Sequence, residues 1–327
     1  MSGVRATGIG SMPGEDVAEA VRVVTGELPD LVHLPELPAR GPHASMTGRA
    51  AAVLVGLSAD LQPAGWRLIT GSGVDHRRAV SLLAQDLDAL EELTQGYTGA
   101  LKVQVTGPWT LAATMERPRG DRVLADHGAR RELAQSLAEG ITEHVADVAR
   151  RVPGADVVVQ VDEPALPAVL AAAVPTASGF GRHRSVDVPS ATVVLQQLTT
   201  AITGAGARPV VHVCAPDVPV SLLVDAGFAA ISYDLGLARP DDVWGQALEA
   251  GVDLWPGVVP SASPDAEVSD ATLTDRLLHF FDRLGHDAPT LAKRIVVTPS
   301  CGLAGASPAW TREALRLVRQ VAAAVSG

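Results

Sequence analysis

Short apolar runs alternate with longer segments of helical periodicity along most of the chain. The runs are continuous rather than alternating, which is typical of strands that are buried on both faces. They predict seven strands, over Leu31–Leu34, Leu101–Thr106, Asp156–Val161, Pro209–Cys214, Ala229–Tyr233, Val252–Trp255 and Arg294–Thr298. We expect an eighth strand near Thr7, before Gly8-Ile9-Gly10-Ser11.

The segments between these runs carry apolar residues at intervals of three and four, and several open with Pro or Asp as helix starts do. They predict helices over Glu15–Thr25, Asp75–Gln95, Ala125–Arg151, Pro189–Thr203, Pro219–Ala226, Pro240–Ala250, Leu273–Leu284 and Pro308–Ala324. Repeated strand–helix alternation favours an α/β fold of the (β/α)8 TIM-barrel type. A doubly wound open sheet is the competing fold. We expect one barrel domain over residues 1–327.

Polar side chains follow the predicted strands, at the end where barrel enzymes carry their active sites. The run ends read Glu36, Thr106-Gly107-Pro108-Trp109, Asp162-Glu163-Pro164, His212-Val213-Cys214, Tyr233-Asp234, Gly257-Val258-Val259 and Ser300-Cys301-Gly302. Acid, thiol and imidazole groups recur there more often than loop polarity requires. The pattern therefore indicates a catalytic or ligand-binding barrel mouth.

Composition narrows the class of protein. Hydrophobic residues make up 47% and charged residues 19% of the chain, which fits a globular protein with a large core. The formal net charge of −11 disfavours non-specific binding to nucleic acid or to anionic membranes. The N-terminus lacks a signal-peptide core, and no apolar run approaches a membrane span of about 20 residues. We therefore expect a cytoplasmic protein.

The only two cysteines, Cys214 and Cys301, lie far apart in the sequence and do not suggest a disulfide framework. Cys214 follows His212 by two residues in an apolar run, and such residues point to the same face of a strand. Cys301 ends another apolar run. Imidazole and thiolate ligands at two strand ends are compatible with a zinc site. From this pattern alone, core cysteines and a core histidine explain the residues equally well.

Six segments match, in chain order, the motifs of one enzyme family: Ile9-Gly10-Ser11-Met12-Pro13, Leu31-Val32-His33 with Glu36, Thr106-Gly107-Pro108, Val161-Asp162-Glu163-Pro164-Ala165-Leu166, Val211-His212-Val213-Cys214 and Pro299-Ser300-Cys301-Gly302-Leu303. The chain resembles cobalamin-independent methionine synthase, whose motifs include IGS-F/M-P, DEPAL and an H-x-C zinc pair. It resembles the C-terminal catalytic barrel of the two-barrel enzymes, and the short single-barrel relatives are the nearer comparison.

The resemblance implies a zinc-dependent methyltransferase that makes methionine from homocysteine. His212, Cys214 and Cys301 would hold Zn²⁺, with Asp234 in place of the family's usual glutamate as the fourth ligand. Zinc would lower the pKa of the substrate thiol, so that a nucleophilic thiolate exists at neutral pH. An acid that only caps the turn after its strand is the alternative for Asp234.

The resemblance also implies holders for the amino-acid part of homocysteine. Asp162, which we count with the zinc ligands as catalytic, and Glu36 would bind the ammonium group. Ser11, with backbone groups of Ile9 and Gly10, would bind the carboxylate. The alternatives are that Asp162 orders its own turn and that Glu36 is an ordinary loop acid.

The methyl donor is where the chain departs from the pattern. The long enzymes carry a histidine at the position of Ala262, in Gly257-Val258-Val259-Pro260-Ser261-Ala262, and that histidine is thought to help protonate the folate leaving group. We also expect the family's N-terminal barrel to be absent. Methylfolate, methylcobalamin and a methylated corrinoid protein are therefore all candidate donors. We expect His183, in Gly181-Arg182-His183-Arg184, to lie in a solvated basic loop, and contact with an anionic cofactor is its alternative role.

Three other functions are compatible with parts of this pattern. A zinc enzyme that alkylates coenzyme M would share the cysteines, but its sulfonate acceptor has no ammonium for Asp162 to hold. A non-catalytic relative would carry a structural zinc closed by four protein ligands, or no metal. A barrel similar to uroporphyrinogen decarboxylase would need mouth arginines, such as Arg40, Arg182 or Arg184, and would not use the H-x-C pair.

Overall fold

A barrel of eight parallel strands forms the centre of the protein in the computed structural model, which describes residues 3–71 and 73–326. The strands of the described residues, eight in the barrel and two in a separate hairpin, are β1 (Arg5–Ala6), β2 (Leu31–His33), β3 (Ser58–Gln62), β4 (Gly65–Ile69), β5 (Ala100–Thr106), β6 (Asp156–Asp162), β7 (Arg208–Val213), β8 (Ala230–Asp234), β9 (Asp253–Val259) and β10 (Val296–Pro299). The barrel order is β1-β10-β9-β8-β7-β6-β5-β2, while β3 and β4 form a separate antiparallel hairpin.

The two edges of this sheet, β1 and β2, approach each other just beyond the strands. Ser11 and Glu36 form a parallel bridge there. The Met12 N–H donates to the Glu36 carbonyl at 2.8 Å, and the Glu36 N–H donates to the Gly10 carbonyl at 3.1 Å. The (β/α)8 barrel prediction is confirmed, and the competing open sheet is wrong.

The helices are α1 (Val17–Glu27), α2 (Met46–Val53), α3 (Val74–Leu93), α4 (Pro108–Thr114), α5 (His127–Arg151), α6 (Leu166–Leu170), α7 (Val188–Gly204), α8 (Val220–Asp225), α9 (Asp242–Glu249), α10 (Asp270–Arg283) and α11 (Pro308–Ser326). Side-chain caps start several of them: Asp126, Asp187 and Ser269 each accept from the N–H three residues further on. Within the described ranges, no helix is long and apolar enough to cross a membrane.

All eight predicted helices are present, with their ends shifted by a few residues. The β3–β4 hairpin and the short helices α2, α4 and α6 were not predicted. The strand expected near Thr7 ends at Ala6 instead of beginning there. The additional elements lie in the connections around the barrel mouth, where short segments carry too few apolar positions for periodicity to reveal them.

Side chains that point into the barrel form layers, because alternate residues of each strand face the interior. The lower layer is an apolar cluster with one residue from each of six strands: Leu31, Val158, Val210, Ala230, Trp255 and Val296. Two residues further along β6 and β7, the interior positions are Gln160 and His212. Another step gives Asp162 and Cys214. The same alternation that fills the barrel therefore delivers polar groups to its C-terminal mouth.

Candidate active site

Three potential metal ligands meet at the mouth of the barrel. His212 and Cys214 come from the end of β7, and Cys301 follows β10. Their ligand atoms lie within 4.8 Å of one another, and the two sulfur atoms are 2.8 Å apart. Neither cysteine is in a disulfide. The barrel therefore brings together the cysteines that the sequence separates by 87 positions.

The ring of His212 is held so that one nitrogen remains available. Nδ1 lies 2.9 Å from the hydroxyl oxygen of Ser232 on the neighbouring strand β8. Nε2 is buried and has no hydrogen-bond partner among the described residues. A histidine that binds a metal ordinarily uses one nitrogen and donates from the other to a fixed acceptor. His212 therefore has the arrangement expected of a ligand that binds through Nε2.

The pKa values of the two thiols are shifted in opposite directions. The pKa of Cys301 is lowered to about 4, mainly because of its hydrogen bond with Cys214 and also because His212 lies close to its sulfur. The pKa of Cys214 is raised by the same hydrogen bond with Cys301 and by burial. One histidine and two cysteine sulfurs form a donor set that suits zinc.

A cavity of about 270 Å³ opens directly over the three ligands. Its wall includes every residue predicted to bind substrate and the three potential metal ligands. The full set of lining residues is Ile9, Gly10, Ser11, Glu36, Pro38, Ala44, Ser45, Met46, Asp162, Pro164, His212, Cys214, Cys301 and Gly302. Soft metal ligands and two carboxylates thus share one small chamber, whose size suits a small molecule.

Asp162 ends β6 and is almost fully buried. Its Oδ1 accepts a hydrogen bond of 2.7 Å from Nε2 of Gln160, two residues earlier on the strand. Burial and the nearby carboxyl group of Glu36 raise its pKa well above the ordinary value. A cationic group that entered the cavity would favour the ionised form of Asp162, which forms no ion pair with any described side chain.

Glu36 is fixed by a buried ion-pair network. Nε of Arg49 lies 3.2 Å from Oε1 of Glu36, and Arg49 also pairs with Asp86. Arg40 also donates to Asp86, with 2.8 Å between Nη2 and Oδ2. Burial raises the pKa of Glu36, while the charge of Arg49 opposes that shift. The network therefore orients Glu36 toward the cavity and supports its ionised form.

The segment Ile9-Gly10-Ser11 needs two glycines to sit where it does. Gly10 has a φ of +152°, and a Cβ there would lie 2.9 Å from Nε2 of Gln104. A Cβ on Gly302 would collide with the hydroxyl group of Ser11. The Leu303 N–H donates to the Ser11 carbonyl at 2.7 Å. Close packing under and beside this segment therefore presents its backbone to the cavity.

Two residues singled out in the sequence are not part of the cavity wall as described. In the described part of the chain, Asp234 lies outside both the cavity wall and the group of three ligands. Its Oδ1 instead accepts the N–H of Gly236 at 2.8 Å. Nε2 of His183 lies 3.3 Å from a carboxylate oxygen of Asp121, and His183 is likewise absent from the cavity wall as described. The role of Asp234 as a ligand thus stays a prediction.

Comparison with known proteins decides the family. A family model described as the catalytic domain of the cobalamin-independent synthase matches residues 77–324. The match covers more than half of the chain and includes Asp162, His212, Cys214 and Cys301. The chain belongs to this family. The cavity residues from Ile9 to Met46 precede the matched segment, so their assignment depends on the geometry described above.

Solved structures with the same fold include one of similar length. A B12-independent methionine synthase from Shewanella sp. W3-18-1, in complex with selenomethionine, matches with a TM-score of 0.60 and 15% identity. The match covers 99% of this chain and 98% of that one, so the whole fold is shared. Methylaspartate ammonia lyase from Clostridium tetanomorphum matches at a TM-score of 0.49 and 12% identity, over 98% of this chain and 58% of that one. None of the curated proteins matches the sequence significantly.

This member of the cobalamin-independent synthase family also uses polar residues that the sequence did not single out. Ser232, Arg49 and Gln160 contact site residues directly. Ser232 and Gln160 lie inside predicted buried strands, and Arg49 lies on α2, which was not predicted. Glu163 accepts hydrogen bonds from the N–H groups of Trp109 and Thr110 at 2.9 and 2.8 Å. Burial raises its pKa to about 7. In the sequence, these residues could have been recognised as polar positions within otherwise apolar runs.

Proposed function

We propose that this protein transfers a methyl group to the thiol of homocysteine and forms methionine, with zinc as its cofactor. The observation that carries the proposal is that the group of His212, Cys214 and Cys301 opens into the same cavity as Asp162 and Glu36. Membership of the cobalamin-independent synthase family supports it. The relative solved with selenomethionine, a selenium analogue of the proposed product, supports it as well.

His212, Cys214 and Cys301 would hold the zinc ion. Three protein ligands that line a cavity leave a position for a substrate, unlike the closed four-ligand sites of structural zinc. Zinc bound there would lower the pKa of the homocysteine thiol and supply a thiolate at neutral pH. Asp234, on the strand next to β7, remains our candidate for the fourth ligand of the resting site.

The cavity suits the amino-acid part of homocysteine. Asp162 and Glu36 would bind the ammonium group, which offers a cation to two carboxyl groups whose pKa values burial has raised. Ser11 and the backbone of Ile9 and Gly10 would bind the carboxylate. An ammonium-bearing thiol is favoured over coenzyme M, because a sulfonate in this cavity would face two acidic side chains.

The methyl group would arrive from the open side of the cavity, where Pro38, Met46 and Pro164 form an apolar rim. The new carbon–sulfur bond forms as the carbon–donor bond breaks, and that bonding pair stays with the donor. Methylfolate, methylcobalamin and a methylated corrinoid protein remain candidate donors. A folate nitrogen needs a proton as it leaves, whereas a reduced corrinoid cobalt does not.

A calorimetric titration of the zinc-loaded protein tests the acceptor. We expect L-homocysteine to bind at least tenfold more tightly than propanethiol or coenzyme M, since a charge-assisted hydrogen bond contributes about 1.5–3 kcal/mol. Methionine formation from homocysteine with each candidate donor in turn then tests the reaction. Equal affinity for the three thiols would contradict an amino-acid acceptor.

A further inference from the structure

Beneath the cavity floor lies a pair of fully buried polar side chains that the proposed chemistry does not use. Lys102 on β5 and Gln160 on β6 are both completely inaccessible to solvent. Nζ of Lys102 donates to Oε1 of Gln160 at 2.6 Å and to the carbonyl of Ile9 at 2.7 Å. Nε2 of Gln160 donates to the same carbonyl at 2.9 Å and to Oδ1 of Asp162 at 2.7 Å.

A buried lysine is costly, and an apolar side chain would occupy the space without that cost. Burial lowers the pKa of Lys102 to about 7, although the charges of Asp162 and Glu36 oppose the shift. The donors of the pair are directed to the Ile9 carbonyl, to Asp162 and, from Lys102, to Gln160. The placement therefore favours a role at the site over a role in barrel packing.

The pair connects the two halves of the proposed substrate site. Ile9, whose carbonyl accepts from both side chains, directly precedes Gly10 and Ser11, the proposed carboxylate holders. Asp162, the proposed ammonium holder, accepts from Gln160. An α-amino acid carries its ammonium and carboxylate groups on one carbon, so the residues that bind the two groups must keep a fixed separation. A misplacement of more than about 0.5 Å weakens such paired recognition.

We infer that Lys102 and Gln160 are positioning residues that fix the segment Ile9–Ser11 relative to Asp162 and thereby select an α-amino-acid thiol. We call them the clamp. The inference rests on the proposed function, and it adds the device that sets the acceptor's selectivity. Neither side chain of the clamp lines the cavity among the described residues, so both act through Ile9 and Asp162.

The test compares four thiols on zinc-loaded protein: L-homocysteine, 4-mercaptobutyrate, 3-aminopropanethiol and propanethiol. The variants are Lys102→Met and Gln160→Glu. The second keeps the acceptor for Lys102 but removes the donor toward Ile9 and Asp162. Thr298→Val is the matched control, because Thr298 is equally buried in the barrel and its hydroxyl has no hydrogen-bond partner in the described chain.

The wild type and the control should prefer homocysteine to each of the three simpler thiols. Both clamp variants should lose about tenfold or more of that preference, the scale of a charge-assisted hydrogen bond. Their zinc content and their affinity for propanethiol should stay unchanged. If Lys102→Met fails to fold, Gln160→Glu carries the test, since it preserves side-chain size and the contact with Lys102.

Two results would overturn the clamp while leaving the proposed function intact. Undiminished preference for homocysteine in the variants would show that the pair does not position the holders. An equal loss of all four thiols, or of zinc, would show a general structural role. If the wild type itself did not prefer homocysteine, the proposed function would fail first and the clamp with it.

Discussion

The hydroxyl oxygen of Ser232 lies 2.9 Å from Nδ1 of His212 and leaves Nε2 as the ring nitrogen available to a metal. The contact follows from strand register, because His212 and Ser232 are direct partners in the parallel pair β7–β8. Both residues occupy interior positions of the barrel. His212 is the only histidine in the cavity wall as described, and strand β8 therefore sets the orientation of its ring. We infer that the same contact sets its tautomer.

Replacing Ser232 with Ala should weaken zinc binding by about 10–100-fold, the usual cost of losing the partner that orients a ligating histidine. The ring would retain Nε2 but lose the acceptor at Nδ1. Competition against a chromophoric chelator measures the affinity. Ser136→Ala is the control, since Ser136 is also buried but bonds the Val55 carbonyl on the barrel exterior. Equal zinc affinity in both variants would contradict the assignment of Ser232.

Cys214→Ser and Cys301→Ser should each abolish stoichiometric zinc, because a neutral hydroxyl is a poor substitute for a thiolate ligand. The wild type should hold about one zinc per chain. The fold should survive, since the barrel buries a core large enough to be stable without a metal. Metal analysis after dialysis against a chelator, together with circular dichroism, checks both parts. Full zinc retention in both variants would refute the metal site.

Asp162→Asn should weaken homocysteine binding by about 1.5–3 kcal/mol while leaving the zinc content unchanged. The amide keeps the shape of the side chain but removes the charge that attracts the ammonium group. Asp156→Asn is the matched control, because Asp156 lies at the exposed opposite end of the same strand. Titration calorimetry of the three proteins measures the difference. Equal weakening in both variants would argue that Asp162 does not bind the substrate.

Arg49→Met should lower the free energy of unfolding by about 3–5 kcal/mol, because it leaves the buried carboxyl group of Glu36 without its ion-pair partner, while Asp86 keeps Arg40. The loss should shrink as the pH falls: burial raises the pKa of Glu36, so protonation at low pH removes the uncompensated charge. Arg316→Met breaks a half-exposed pair with Glu313 and should cost at most about 1 kcal/mol. Denaturant unfolding at pH 5 and pH 8 tests both; a loss independent of pH would contradict this reading.

Methylcobalamin, or a methylated corrinoid protein, should methylate homocysteine faster than 5-methyltetrahydrofolate does. Ala262 lies exposed after β9 and offers no proton to a leaving amine. A positioned acid typically contributes about 10²–10⁴-fold to such a step. His183 is a weak substitute, because it pairs with Asp121 and is absent from the cavity wall as described. Rapid turnover with methylfolate alone would contradict this prediction, and Ala262→His offers the complementary gain-of-function test.

The barrel was predictable because its strands are buried on both faces and therefore form continuous apolar runs. The hairpin β3–β4 was missed because its residues are mostly half-exposed and its strands carry Asp60 and Arg67. Short helices such as α4 have too few turns to show periodicity. Local pattern thus predicts the elements that build the core and fails for those that surround the mouth.

The residues of the candidate site also fall into those that the sequence predicts and those that it does not. Asp162, Cys214 and Cys301 stand at strand ends, where barrel geometry itself predicts a meeting point. Ser232 and Lys102 stand inside strands, and their roles depend on which interior positions of neighbouring strands lie at the same height. That register is a tertiary property. Lys102 lies within the apolar run from Leu101 to Thr106, and a lysine at such a position does indicate a polar layer inside the barrel.

X-ray absorption at the zinc edge, with and without homocysteine, tests the central claim most directly. The free protein should show two sulfur ligands, from Cys214 and Cys301, beside nitrogen and oxygen ligands. Homocysteine should add a third sulfur and release about one proton near neutral pH, since zinc binds the thiolate rather than the thiol. A zinc shell that stays unchanged when homocysteine is bound, or a protein that holds no zinc, would contradict the account.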